Sequence, residues 1–133
     1  MTNLLSLDVG TKRIGVAAAD TIVPIALPLE TIIVDGQEVT RILELAKSRG
    51  AETIIVGYPR NQSGEATEQT GYAEAFARKL EPAVSIVFQD ESLTSVMAED
   101  RLKADGKPYS KGDIDAMAAA IILQDYLEVN YAA

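Results

Sequence analysis

The side chains able to do chemistry in this chain are carboxylates, and three of them stand where a fold would not place a casual charge. Asp8 interrupts the apolar run Leu4 to Val9, with Leu5, Leu7 and Val9 alternating to one side and Leu4 and Ser6 to the other. A charge there needs a partner or a metal, unless it only turns the chain at Val9-Gly10. Glu91 comes after the apolar segment Val84 to Phe88, the position outside a strand's carboxyl end where open parallel sheets bind ligands. Its neighbour Asp90 competes for that role. Asp115 is the most informative, since Ile114 to Leu123 is otherwise Ala, Met, Ile and Leu and reads as a helix buried on nearly all sides. Asp113 stands three residues after Ser110, which suits a helix-capping pair, so Asp113 is assigned to structure and Asp115 to function.

Three such carboxylates, brought together, would form a hard oxygen cage suited to one or two Mg²⁺ or Mn²⁺ ions. A cage of that kind activates water and stabilises the leaving oxygen of an in-line displacement at phosphorus. Histidine and cysteine are both absent, which excludes Ser-His-Asp and Cys-His nucleophiles, thiolate metal sites and a disulfide framework.

A phosphate backbone would need cations. Lys12 and Arg13 flank the first turn, Arg60 and Asn61 lie in a polar stretch ending at Gly64, and Arg101 to Lys111 holds four basic residues, Lys107 and Lys111 among them, against one acid. These are the candidate nucleic-acid contacts. Arg13, close to Asp8, could instead pair with a site carboxylate. Tyr58 and Tyr109 fall in expected loops and could stack on a base, whereas Phe76 and Phe88 read as core. Against these stands a net charge of −8, from 20 acidic and 12 basic side chains. It repels nucleic acid at long range unless positive charge is concentrated locally or metal neutralises the acids.

Periodicity gives the scaffold for these groups. Residues 4–9 and Arg13 to Ala19 read as a hairpin across a Gly-Thr-Lys turn. Pro24 and Pro28 interrupt the next stretch, and Leu29 to Val34 is a third strand. Val39, Ile42, Leu43 and Ala46 then mark a helix ending at Gly50, Thr53 to Val56 a strand, and Ala73, Phe76, Ala77 and Leu80 a second helix stopped by Pro82. Val84 to Phe88 is the fifth strand, succeeded by helices over Thr94 to Ala104 and about Ser110 to Glu128. The expected fold is α/β: a mixed five-stranded sheet, its first three strands antiparallel and its later ones parallel, flanked by helices. The 133 residues suit a single domain, 1–133. No apolar run approaches the roughly 20 residues that cross a bilayer, and the N-terminus opens on a strand-like segment with no signal pattern, so the expectation is a cytoplasmic protein without membrane contact.

Four motifs go further. Leu7-Asp8-Val9-Gly10-Thr11-Lys12-Arg13-Ile14-Gly15-Val16-Ala17 resembles the opening motif of the bacterial YqgF/RuvX family. Ile55-Val56-Gly57-Tyr58-Pro59 with Gly64, Asp90-Glu91-Ser92-Leu93-Thr94-Ser95, and Lys111 to Ala119 resemble its remaining motifs in order. The resemblance implies a ribonuclease H-like fold with metal-binding, catalytic acids at Asp8, Glu91 and Asp115. It also implies a nuclease that matures the 5′ end of pre-16S ribosomal RNA, or alternatively one that resolves Holliday junctions in branched DNA, working as a monomer or a homodimer. One departure is Ser92, where the family usually has Arg, which bears on substrate preference. Two other readings compete. Asp8-Val9-Gly10-Thr11 also resembles the phosphate hairpin of actin-like ATPases and sugar kinases, but those need two such domains around the nucleotide. A non-catalytic nucleic-acid-binding module on the same fold is the other.

Overall fold

Alternation along the strands decides how this molecule is layered. The computed structural model describes residues 2–59, 67–91 and 94–131, and leaves the side chains of residues 91 and 94–96 outside that description. The elements are β1 (Asn3–Val9), β2 (Arg13–Asp20), β3 (Leu27–Ile33), α1 (Glu38–Arg49), β4 (Ala51–Pro59), α2 (Glu68–Leu80), β5 (Ser85–Glu91), α3 (Thr94–Asp105) and α4 (Lys111–Asn130). The strands form one sheet in the order β3-β2-β1-β4-β5. β1, β2 and β3 pair antiparallel, and β4 and β5 add to β1 in parallel, as the intervening helices require. The expected mixed sheet and element order are both present, the arrangement expected of a ribonuclease H-like fold.

One face of the sheet carries large side chains. Leu5, Leu7, Ile14, Val16, Ile54 and Val56 are fully buried there against Ile42 and Ala46 of α1 and Ala73, Phe76, Ala77 and Leu80 of α2. The opposite face packs on α4, where Leu4, Ala17 and Ile55 meet Ala119, Ala120, Ile122, Leu123 and Leu127. α3 covers the outer side of α4 through Ala98, Ala118 and Ile121. Several side chains on the α4 face of the sheet are small, and Ser6 uses its buried hydroxyl to donate to the Ala119 carbonyl at 2.7 Å. The helix therefore lies close to the sheet.

Helix ends obey local chemistry. Gly50 caps α1 in the left-handed region at φ 68°. Ser110 and Asp113 form the expected capping box of α4: the Asp113 amide donates to Ser110 Oγ at 3.2 Å and the Ser110 amide to Asp113 Oδ2 at 2.9 Å. Asp113 is thereby structural.

Three sequence expectations are corrected. β3 starts before Pro28, which is tolerated because β3 is an edge strand and the pairing shifts register between Val16 and Ala17, beside Pro28. β4 continues past Val56, since Gly57, Tyr58 and Pro59 pair with Gln89, Asp90 and Glu91. Tyr58 is consequently a strand residue: its hydroxyl donates to Glu74 Oε1 at 2.5 Å, and its ring meets Phe88 edge-on at 5.1 Å. Phe88, on the outer strand β5, is 41% exposed, whereas Phe76 is core as expected. Tyr109 donates to Glu99 Oε2 at 3.1 Å.

Candidate active site

The site is built where β1 ends. Parity places Asp8 on the face shared by Leu4 and Ser6, toward α4, one residue beyond the Leu7–Val56 pair that joins β1 to β4. At that level the hairpin closes tightly, with the Gly10 amide donating to the Arg13 carbonyl at 3.0 Å. A Cβ on Gly10 would lie 2.6 Å from that carbonyl oxygen, so only glycine fits this turn.

Asp115 approaches from the second turn of α4. Its carboxylate and that of Asp8 interact: burial, and then the Asp115 charge, push the Asp8 carboxyl up to about 6. Desolvation and a like-charged neighbour both favour the protonated form. Arg13 Nε donates to Asp115 Oδ2 at 2.6 Å, with both side chains partly buried. Arg13 thus adopts the alternative role considered for it, partner of a site carboxylate.

Glu91 ends β5 opposite Pro59, at the same carboxyl edge of the parallel strands as Asp8. Its side chain lies outside the described residues, and among those described no group of three metal-ligating side chains occurs. Convergence is therefore seen for two of the three predicted acids. Lys12 is exposed, with its carbonyl accepting from the Val34 amide at 3.0 Å. Lys107 and Lys111 are exposed at the α3–α4 connection and the first turn of α4. Arg60 and Asn61 fall outside the described residues.

A cleft of about 410 Å³ opens at this edge, lined by Asp8, Val9, Gly10, Thr11 and Pro59 on the sheet side and by Glu68, Gln69 and Tyr72 of α2 on the other. The α2 wall is held in place by Thr70, whose buried hydroxyl donates to the Pro59 carbonyl, and by the Thr67–Thr70 capping box. Gln69 and Tyr72 carry no signal in the sequence. They lie on the outward side of a helix whose periodicity reports only the buried stripe Ala73, Phe76, Ala77 and Leu80. Gly15 does carry one, since a glycine inside a strand marks close backbone approach, but sequence reasoning gave it no role.

Comparison with known proteins finds relatives of this chain. The family model described as "RuvX: Holliday junction resolvase" matches residues 2–129. A protein of Sulfurihydrogenibium sp. named "Putative pre-16S rRNA nuclease" is 38% identical over 132 residues, covering 96% of this chain and 91% of its own. A protein of the same name from Chloroflexus aurantiacus is 44% identical over 131 residues, covering 94% and 86%. Among solved structures, T. thermophilus RuvC in complex with a Holliday junction substrate superposes with a TM-score of 0.57 at 17% identity, covering 97% of this chain and 95% of that one. At that identity the likeness is one of fold.

Proposed function

Because the chain belongs to the RuvX family, we propose that it is a divalent-metal-dependent nuclease, one ribonuclease H-like domain acting in the cytoplasm on the 5′ end of pre-16S ribosomal RNA. The observation that carries the reading is the mutual approach of Asp8 and Asp115 beside a cleft at the carboxyl edge of the parallel strands. Arg13 answers the charge of Asp115, while Asp8 remains disfavoured as a carboxylate by burial and by that neighbour, a situation a bound cation would relieve. The hard oxygens of the two acids suit Mg²⁺ or Mn²⁺.

Asp8 and Asp115 would hold the metal, with Glu91 as the third ligand at the end of β5. When bound, the ion supplies a water activated for attack at phosphorus and positive charge for the leaving oxygen. The chain's own residues do the rest. The Gly10-Thr11 turn presents backbone to the cleft with little side-chain obstruction, allowing a phosphodiester to come near Asp8. Gln69 and Tyr72 line the cleft opposite that turn and offer an amide and an aromatic plane to a nucleotide on either side of the scissile bond. Lys12, Arg60, Asn61, Lys107 and Lys111 are the further backbone contacts we assign. The open cleft and the net charge of −8 fit a locally single-stranded RNA better than a large duplex surface.

Relatives of similar length named as pre-16S rRNA nucleases support this choice. The family description as a Holliday junction resolvase supports a second reading, cleavage of branched DNA, which would require a two-fold dimer to cut paired strands. The test is cleavage of end-labelled pre-16S RNA, single-stranded RNA and DNA, and a four-way junction, with Mg²⁺, Mn²⁺ or EDTA, beside Asp8→Asn. RNA cutting that needs metal and disappears in Asp8→Asn is the expected result. Paired symmetric cuts confined to the junction would replace the RNA reading with the resolvase, and cutting that survives both EDTA and Asp8→Asn would remove the metal mechanism.

A further inference from the structure

Strand β2 contacts Asp115 at two points that have nothing to do with holding the fold's large-residue core. Gly15 is the first. A Cβ on it would lie 1.9 Å from the Asp115 carbonyl oxygen, 2.2 Å from its carbonyl carbon and 2.8 Å from the Ala116 nitrogen. All three are backbone atoms, so no rotamer change could make room. Arg13, two residues earlier and so on the same face, is the second, holding the Asp115 carboxylate through Nε at 2.6 Å.

The strand register ties these contacts to the site. Asp8 on β1 is paired with Gly15 on β2, and Gly15 with Thr31 on β3, so the three form one row across the sheet. Thr31 Oγ1 donates to the Gly112 carbonyl at 2.5 Å, fixing the first turn of α4 at the far end of that row. The backbone of Asp115 rests on the direct cross-strand neighbour of Asp8. An alanine at position 15 would force the helix away from the sheet at the very residue whose carboxylate must reach Asp8.

We propose that Arg13 and Gly15 are positioning residues for metal binding, Gly15 by seating the Asp115 backbone and Arg13 by orienting its carboxylate, neither of them touching the ion. This rests on the metal-site reading and differs from the sequence expectation that Arg13 contacts nucleic acid. Groups that orient a metal ligand without binding metal alter affinity by about 10- to 100-fold when removed.

The experiment is Mn²⁺ binding to the full chain in the absence of nucleic acid, monitored by calorimetry and by the loss of the free-ion paramagnetic resonance signal, for wild type, Arg13→Gln, Arg13→Lys, Gly15→Ala and Asp8→Asn. Arg13→Gln should bind Mn²⁺ roughly 10-fold more weakly while losing less thermal stability than Gly15→Ala, and Arg13→Lys should recover part of the affinity. Gly15→Ala should lose both affinity and thermal stability, and if it fails to fold the Arg13 pair decides. Unaltered Mn²⁺ affinity in Arg13→Gln with a raised KM for RNA would overturn the assignment and make Arg13 a phosphate contact. Absence of Mn²⁺ binding by wild type would sink the metal reading itself and this inference with it, whereas equal binding by wild type and Arg13→Gln with weakened binding by Asp8→Asn would sink this inference alone.

Discussion

The two faces of the sheet solve different problems with the same backbone. Toward α1 and α2, most buried strand residues are Leu, Ile and Val, and each fully buried one contributes about 1.5–3 kcal/mol of hydrophobic stabilisation. Toward α4 the corresponding positions include Ser6, Gly15, Ala17 and Ala19, which bury little apolar surface but let a helix rich in alanine come within backbone contact. The first face is a core of large side chains. The second sets how close two acids can stand.

This contrast can be broken deliberately. The largest effect on folding is expected from Leu5→Ala on the large-residue face, a loss of about 2–5 kcal/mol by urea denaturation, with cleavage per folded molecule unchanged. If activity fell in step beyond the unfolded fraction, the two faces would not be separable. Next comes Asp8 itself. Its carboxyl titrates near 6 in the folded chain against 3.8 for an unconstrained aspartate, so the folded state binds the proton more tightly. Its contribution to stability is therefore fullest below pH 4 and is lost as pH rises through 6, a fall on the order of 3 kcal/mol when metal is chelated. Asp8→Asn should flatten that part of the stability-against-pH curve, and a wild-type curve with no such fall would contradict the crowding of the two acids.

Smaller effects sharpen the comparison. Ala17→Val overfills the α4 face and should destabilise by about 1–3 kcal/mol while reducing metal-dependent cleavage disproportionately, the reverse of the Leu5→Ala pattern. Ser6→Ala removes one buried hydroxyl donor and should lower stability in urea by about 1 kcal/mol, without loss of activity if the alanine contacts alone hold α4 down. Arg41→Ala, which removes an exposed ion pair with Asp35 on neither face, should leave both stability and cleavage where they were.

How far the sequence can be read depends on the same division. Large alternating side chains announce their strands, and the stripe Ala73, Phe76, Ala77, Leu80 announces its helix, so the order of elements and the parallel second half of the sheet are legible. Asp8 and Asp115 are visible as charges in apolar company, and Ser110 with Asp113 as a cap. The missing information is carried by small or outward residues. Gly57 to Pro59 look like a loop because nothing in their own composition reports that β5 runs beside them to Glu91. Phe88 looks like core on periodicity, yet it lies on an outer strand and is 41% exposed. Gln69 and Tyr72 add nothing to a periodic pattern and Gly15 signals only a close approach, since the role of each depends on what the fold brings opposite it. The Arg13–Asp115 pair, separated by 102 residues, is only one of two options until β2 and α4 are seen together.

That separation has a consequence in time. During synthesis Arg13 is made 102 residues before Asp115, and during that interval neither the acid pair nor the Arg13 ion pair can form. A nascent chain therefore carries no assembled acid pair while it is threaded through the RNA-rich machine that makes it, and the site first comes into being when α4 docks on the completed sheet.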